Sequence, residues 1–142
     1  MKKVFIDTSA WVAINSKDDQ YHNEDCLINQ KLIIEGYRYI TTNFVLDETY
    51  TFMRYEVSHK KAVEFGHEVV KLEKSRKVEV VPVSKEIEKS AWEIFEWYDD
   101  KDFSFTDCTS FMIMEQLGVT EVFTFDHHFE QYKFTQIGVG LK

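Results

Sequence analysis

Short apolar runs alternate along the chain with stretches in which apolar residues return every three or four positions. The first run, at residues 3–6, predicts a buried strand. It passes into Asp7-Thr8-Ser9, three residues that favour helix starts, and a short helix is expected near Ala10–Ile14. A second helix is predicted over Tyr21–Glu35, with Cys26, Leu27, Leu32 and Ile33 facing inward and Gly36 as its stop. Tyr37–Thr41 reads as strand two, and Thr42 or Asn43 caps a helix reaching about Glu56. Ser58 caps the next helix, to about Ser75, before strand three at Val78–Pro82. Ser84 then opens a helix whose stripe of Ile87, Ala91, Ile94, Phe95 and Tyr98 is expected in the core. After the polar loop 99–102, Ser104 opens a helix ending near Leu117-Gly118. Glu121–Phe125 is strand four, and Phe134–Gly138 a short edge strand.

This order, a strand followed by two helices three times over and then a strand, predicts a central, mainly parallel sheet covered on both faces. Right-handed crossovers follow from that arrangement. Ligands of such sheets collect beyond the carboxyl ends of the strands, where the strand order switches.

A chain of 142 residues fits one compact domain, taken as 1–142, and its 44% hydrophobic and 15% aromatic content supplies a sizeable core. Cys26 and Cys108 have neither metal-site spacing nor companions for a disulfide framework, which fits reduced thiols in a cytoplasmic protein. The first apolar run stops at Asp7, too soon for a secretory segment, and no stretch approaches the roughly 18 apolar residues of a membrane span. The net charge of −8 argues against gripping nucleic acid through a global positive field. It is compatible with a local acidic pocket that holds divalent cations, which in turn meet phosphate.

Four acids stand where the strand-end rule directs attention. Asp7 follows strand one and Asp126 follows strand four. Glu48 lies about one and a half turns into the helix after strand two, and Asp107 in the first turn of the helix opened by Ser104. Hard cations such as Mg²⁺ or Mn²⁺ take oxygen ligands of this kind. Carboxylates crowded without an ion raise one another's pKa. Each acid also has a plain structural reading. Asp7 can be a helix cap and Asp126 an Asx-turn residue. Asp47 competes with Glu48, and Ser104-x-x-Asp107 matches a capping box. The case for chemistry rests on the set.

The set resembles the PIN-domain family, in particular its VapC-like toxin branch. The matching pieces are Phe5-Ile6-Asp7-Thr8-Ser9-Ala10-Trp11, Thr42-Asn43-Phe44-Val45-Leu46-Asp47-Glu48, Ser104-Phe105-Thr106-Asp107-Cys108 and Val122-Phe123-Thr124-Phe125-Asp126. Their order and spacing agree across nearly the whole chain. The resemblance implies a three-layer α/β/α fold with four to five strands, and cleavage of single-stranded RNA dependent on Mg²⁺ or Mn²⁺. It assigns Asp7, Glu48, Asp107 and Asp126 to catalysis and metal binding, with Ser9 and Thr124 as polar helpers and Thr8 and Ser104 as further candidates. Asp126 is the least constrained of the four, because the family's last acid varies. A toxin would pair with an antitoxin protein and is expected to form a homodimer; a housekeeping RNA-processing nuclease and an inert RNA- or protein-binding module are the alternatives.

Arg54, His59, Lys60 and Lys61 form a local basic patch that reads as solvated surface, and His127 and His128 as two exposed loop residues. Trp11, Trp92 and Trp97 are expected in the core or an interface. An aspartyl-phosphate phosphatase also begins with a strand and an Asp, but it needs a second Asp two residues on, where this chain has Ser9.

Overall fold

The computed structural model describes residues 2–138. Its elements in chain order are β1 (Lys2–Ile6), α1 (Thr8–Asn15), α2 (His22–Ile34), β2 (Tyr37–Thr42), α3 (Asn43–Glu56), α4 (His59–Lys74), β3 (Val78–Val81), α5 (Lys85–Trp97), α6 (Phe105–Leu117), β4 (Glu121–Phe123), α7 (His128–Tyr132) and β5 (Thr135–Ile137). All five strands run parallel in the order β3-β2-β1-β4-β5. The first two crossovers move outward from β1, and the third returns past it to β4. With right-handed crossovers this places α1–α4 on one face and α5–α7 on the other. The strand order therefore switches between β1 and β4.

β1 is the central strand, and Val4, Phe5 and Ile6 are fully buried, as a strand covered on both faces requires. Thr42, Ser58, Ser84 and Ser104 cap α3, α4, α5 and α6, each accepting the backbone N–H three residues on. Gly118 closes α6 in the left-handed region at φ +68°, where a side chain would be strained.

Several boundaries and faces differ from expectation. α1 starts at Thr8, because the carbonyl of Asp7 already accepts the N–H groups of Ala10 and Trp11. β3 ends at Val81, one residue before Pro82, which has no N–H to give a ladder. β4 ends at Phe123, since Phe125 N–H turns to the Ser9 hydroxyl at 2.9 Å and Asp126 N–H to the Thr124 hydroxyl at 3.0 Å.

Two inward faces are also corrected. Of the four α2 residues expected inside, Leu32 is buried and Cys26 half-buried, while Leu27 and Ile33 are 69% and 55% exposed. The inward face carries Asp25 and Asn29 instead, polar residues that hide its helical period. In α5 only Ala91 is buried; Ile87, Ile94 and Tyr98 are half-buried and Phe95 is exposed. Of the tryptophans, Trp11 is in the core, and Trp92 and Trp97 are exposed.

The five-residue α7 falls where a loop was expected, too short to display a helical period. Its Phe129 is fully buried, packing edge-on against Phe111 at 5.1 Å between ring centres and against Phe5 at 6.0 Å. That anchorage fixes the backbone on either side of the switch. Among the described residues no helix is long and apolar enough to cross a membrane.

Candidate active site

Asp7 leaves β1 at the switch, and its N–H donates to the carbonyl of Phe123 at 3.2 Å, joining it to the end of β4. It occupies the cap position of α1, but its carboxylate makes no cap hydrogen bond. One oxygen, Oδ2, accepts from the Thr124 hydroxyl at 3.3 Å; the other, Oδ1, is buried with no partner among the described residues. The Ser9 and Thr124 hydroxyls lie 3.0 Å apart. Ser9, Thr124 and Asp7 thus form one chain of hydroxyls ending on a carboxylate.

α3 brings in Glu48, which is half-buried and lines the pocket, while Asp47 faces solvent. The Thr49 hydroxyl binds the carbonyl of Val45 at 2.7 Å and reaches Thr8 at 3.1 Å, tying α3 to α1 beneath the pocket. Asp107 serves two ends at once. Its Oδ2 accepts the Ser104 N–H at 3.0 Å, completing the capping box of α6, and the same buried carboxylate lines the pocket. Asp126 accepts the His128 N–H at 3.0 Å in an Asx turn and also faces the pocket. The structural readings of Asp107 and Asp126 therefore hold together with their place in the pocket.

The pocket has a volume of about 330 Å³ and gathers Asp7, Glu48, Asp107 and Asp126. Thr8, Ser9 and Ser104 line its floor and wall. Burial holds Asp7 well above the usual carboxylate range, and the charges of Asp107, Glu48 and Asp126 push the same way. Burial raises Glu48 too, with the Thr8 hydroxyl opposing and Asp107, Asp126 and Asp47 adding. Burial also raises Asp107, against its bond to the Ser104 N–H. Crowded, desolvated carboxylates of this kind are costly unless a positive charge offsets them. Asp107, Asp126 and His128 offer ligand atoms that all lie within 4.8 Å of one another. Together with the unpartnered oxygen of Asp7, this donor set fits a divalent cation.

His128 is not the exposed loop residue expected. It begins α7, and its Nδ1 stands 2.8 Å from Oδ2 of Asp107 and 3.2 Å from Oδ2 of Asp126. Its neighbour His127 is exposed, as expected. Asp19, Gln20, Tyr21 and Phe52 also line the pocket and were missed. Phe52 had a signal, lying four residues after Glu48 and so on the same helical face. The other three sit in the α1–α2 connection, which has no periodicity to read; Tyr21 is held there by stacking on Phe125 at 4.7 Å. Arg54, His59, Lys60 and Lys61 lie exposed on α3 and α4.

A profile of the PIN domain matches residues 4–135. The chain belongs to the PIN-domain family. Within it, the likeness is to the VapC-like branch. Over 136 residues, 94% of this PIN-domain chain and 97% of the relative, it is 29% identical to the 23S rRNA-specific endonuclease VapC20 of Mycobacterium tuberculosis. The crystal structure of VapC20, described as a Sarcin-Ricin loop cleaving toxin, matches with a TM-score of 0.83 over 94% of this chain and 98% of that one. Two more distant structures share the fold alone. FitAcB from Neisseria gonorrhoeae has a TM-score of 0.68 at 13% identity, covering 95% of this chain and 96% of its own. VapBC2 from Rickettsia felis, bound to a fragment of its promoter DNA, has a TM-score of 0.66 at 12% identity, covering 96% and 98%. The three-layer α/β/α fold expected from the sequence is the fold observed.

Proposed function

We propose that this protein is an endoribonuclease that hydrolyses phosphodiester bonds of single-stranded RNA in the acidic pocket, and that it is the toxin of a toxin–antitoxin pair. One observation carries the reading. Four carboxylates from four separate segments meet at the switch between β1 and β4, and one of them, Asp7, has a buried oxygen that nothing among the described residues satisfies. An RNA substrate is supported by the likeness to VapC20, a 23S rRNA-specific endonuclease.

Asp7, Glu48, Asp107 and Asp126 would hold one or two divalent cations, Mg²⁺ or Mn²⁺. When bound, such an ion offsets the acids' charge, admits a phosphate to a pocket that would otherwise repel it, and makes water acidic enough to attack phosphorus near neutral pH. The residues do the rest. Asp7 and Asp107 are held rigidly, by Thr124 and by Ser104 N–H, so their oxygens would present a fixed set of ligands to a cation. Glu48, half-buried where Asp7 and Asp107 are buried, would serve as the base that accepts a proton from the attacking water. Ser9 and Thr124 keep the Asp7 carboxylate in its rotamer. The acids act as ligands or bases, and the expected products are a 5′-phosphate and a 3′-hydroxyl.

The same reading includes a cytoplasmic location, a small antitoxin protein and a homodimer. Exposed Trp92, Phe95 and Trp97 on α5 supply an apolar surface for a second copy. Sedimentation of Trp92→Glu against the parent chain reads that pairing. The principal test is cleavage of purified 23S rRNA and of unstructured RNA with Mg²⁺ or Mn²⁺. Cleavage should stop in EDTA and in Asp7→Asn; undiminished cleavage by that variant would sink the proposal.

A further inference from the structure

We infer that His128 is a nitrogen ligand, completing with Asp107 and Asp126 a mixed nitrogen–oxygen site that prefers Mn²⁺ to Mg²⁺. The inference rests on the metal-dependent reading above and names a donor which that reading leaves out.

The geometry is that of neighbouring corners in an octahedron. Nδ1 of His128 lies 2.8 Å from Oδ2 of Asp107 and 3.2 Å from Oδ2 of Asp126. Ligand atoms set at right angles about 2.1 Å from an ion stand about 3 Å apart. The imidazole nitrogen thus already occupies a position from which it and both carboxylates can reach one ion. The three residues' ligand atoms all lie within 4.8 Å of one another, close to the roughly 4.2 Å that separates opposite corners at the same ligand distance.

His128 is also built into this place. Its backbone N–H is bound by Oδ1 of Asp126 at 3.0 Å. The next residue, Phe129, is fully buried and pins the start of α7. The imidazole meets the ring of Phe103 edge-on, 5.9 Å between centres. Across the pocket, Asp107 is fixed by the Ser104 N–H. Ligation asks only that the ring carry its hydrogen on Nε2, so that Nδ1 presents a lone pair. In the protein alone the same nitrogen hydrogen-bonds to Asp107; with a cation present, the two atoms become co-ligands.

The choice of ion follows from the donor. Mg²⁺ favours oxygen and retains its waters, whereas imidazole suits Mn²⁺ and the later transition ions better. A pocket of carboxylates alone would discriminate weakly between Mg²⁺ and Mn²⁺; one nitrogen tilts it.

The test is electron spin echo modulation of Mn²⁺ added to the whole protein, prepared with natural or ¹⁵N-labelled histidine. A nitrogen coupling should appear, change with the isotope, persist in His127→Ala and vanish in His128→Ala. Calorimetry should show the preference for Mn²⁺ over Mg²⁺ falling about tenfold or more in His128→Ala. The isotope comparison on the unaltered chain shows whether a histidine is bound at all, and its persistence in His127→Ala assigns it to His128 even if His128→Ala folds poorly. Bound Mn²⁺ with no histidine coupling overturns the inference and leaves the acidic metal site standing. Failure of the unaltered protein to bind Mn²⁺ overturns both.

Discussion

The Thr124 hydroxyl donates to Oδ2 of Asp7 at 3.3 Å across 117 residues of chain, while Oδ1 of the same carboxylate stays buried without a partner among the described residues. This half-satisfied state is costly in a protein interior. Asp7→Asn removes the charge and keeps the shape. Cleavage of RNA should fall at least about 100-fold, on the scale that loss of an essential charged group in an active site produces. In chelator the variant should melt at the same temperature or higher. The pH dependence has a definite sign. Because burial raises Asp7, the folded protein keeps this proton to higher pH than the unfolded chain does. The stability this gives is complete below the ordinary carboxylate range and is lost as pH rises through the folded value. Melts in EDTA at rising pH should therefore favour Asp7→Asn increasingly. A gap that narrows with pH contradicts the assignment.

Asp107 both caps α6 and faces the pocket, and two variants separate these roles. Ser104→Ala removes the hydroxyl that accepts Asp107 N–H at 2.9 Å, which should cost about 1 kcal/mol of stability. It should leave the rise in melting temperature caused by Mn²⁺ nearly intact. Asp107→Asn should keep or gain stability in EDTA and lose part of that rise, since a ligand stabilises only by binding the folded state. Equal Mn²⁺-induced shifts in Asp107→Asn and the parent chain would remove Asp107 from the ligand set.

The convergence of distant acids could be read in the sequence because two simple rules meet there. Strand ends of a parallel sheet share one edge, which places Asp7 with Asp126, a helix after a strand starts at that edge, which places Glu48, and α6, which leads back to the start of β4, begins at the same edge, which places Asp107. Phe129 shows where such rules stop. Its helix is a single short element held by contacts with Phe5 and Phe111, which lie far away in sequence, and local pattern carries no trace of them. His128 inherits its position from that helix, so its approach to Asp107 was equally hidden. α2 misleads for another reason. Its inner face carries Asp25 and Asn29, the latter accepting from the Tyr39 hydroxyl, so polarity and burial disagree. Asp107 was legible in both of its roles, but the sequence offered them as alternatives where the structure combines them.

Thr124 has three neighbours for one hydroxyl: Asp7, Ser9 and the N–H of Asp126. Thr124→Val preserves volume and removes all three bonds. The orphaned Asp126 N–H and Ser9 should lower stability by about 1–3 kcal/mol. With Asp7 free to change rotamer, kcat for RNA should drop about tenfold while KM changes little. Thr124→Ser should restore both properties. A Thr124→Val enzyme with unchanged kcat would show that Asp7 needs no such support.

Asp25 offers a test away from the pocket's acids. It is fully buried in α2, neither carboxylate oxygen has a partner among the described residues, and burial, aided by the charges of Asp19 and Glu24, pushes it up to about 9. The folded protein therefore carries Asp25 protonated at neutral pH, whereas the unfolded chain ionises it near pH 4. Stability from this group is complete below about pH 4 and drains away as pH rises towards 9. Asp25→Asn supplies a neutral group of the same shape. Its melting temperature should match that of the parent chain near pH 5, and the parent should fall progressively behind as pH approaches 9. The comparison belongs in EDTA, so that metal bound by the pocket does not mask it. Parallel melting curves for the two proteins across that range would mean that Asp25 is solvated or paired, contrary to its burial without a partner.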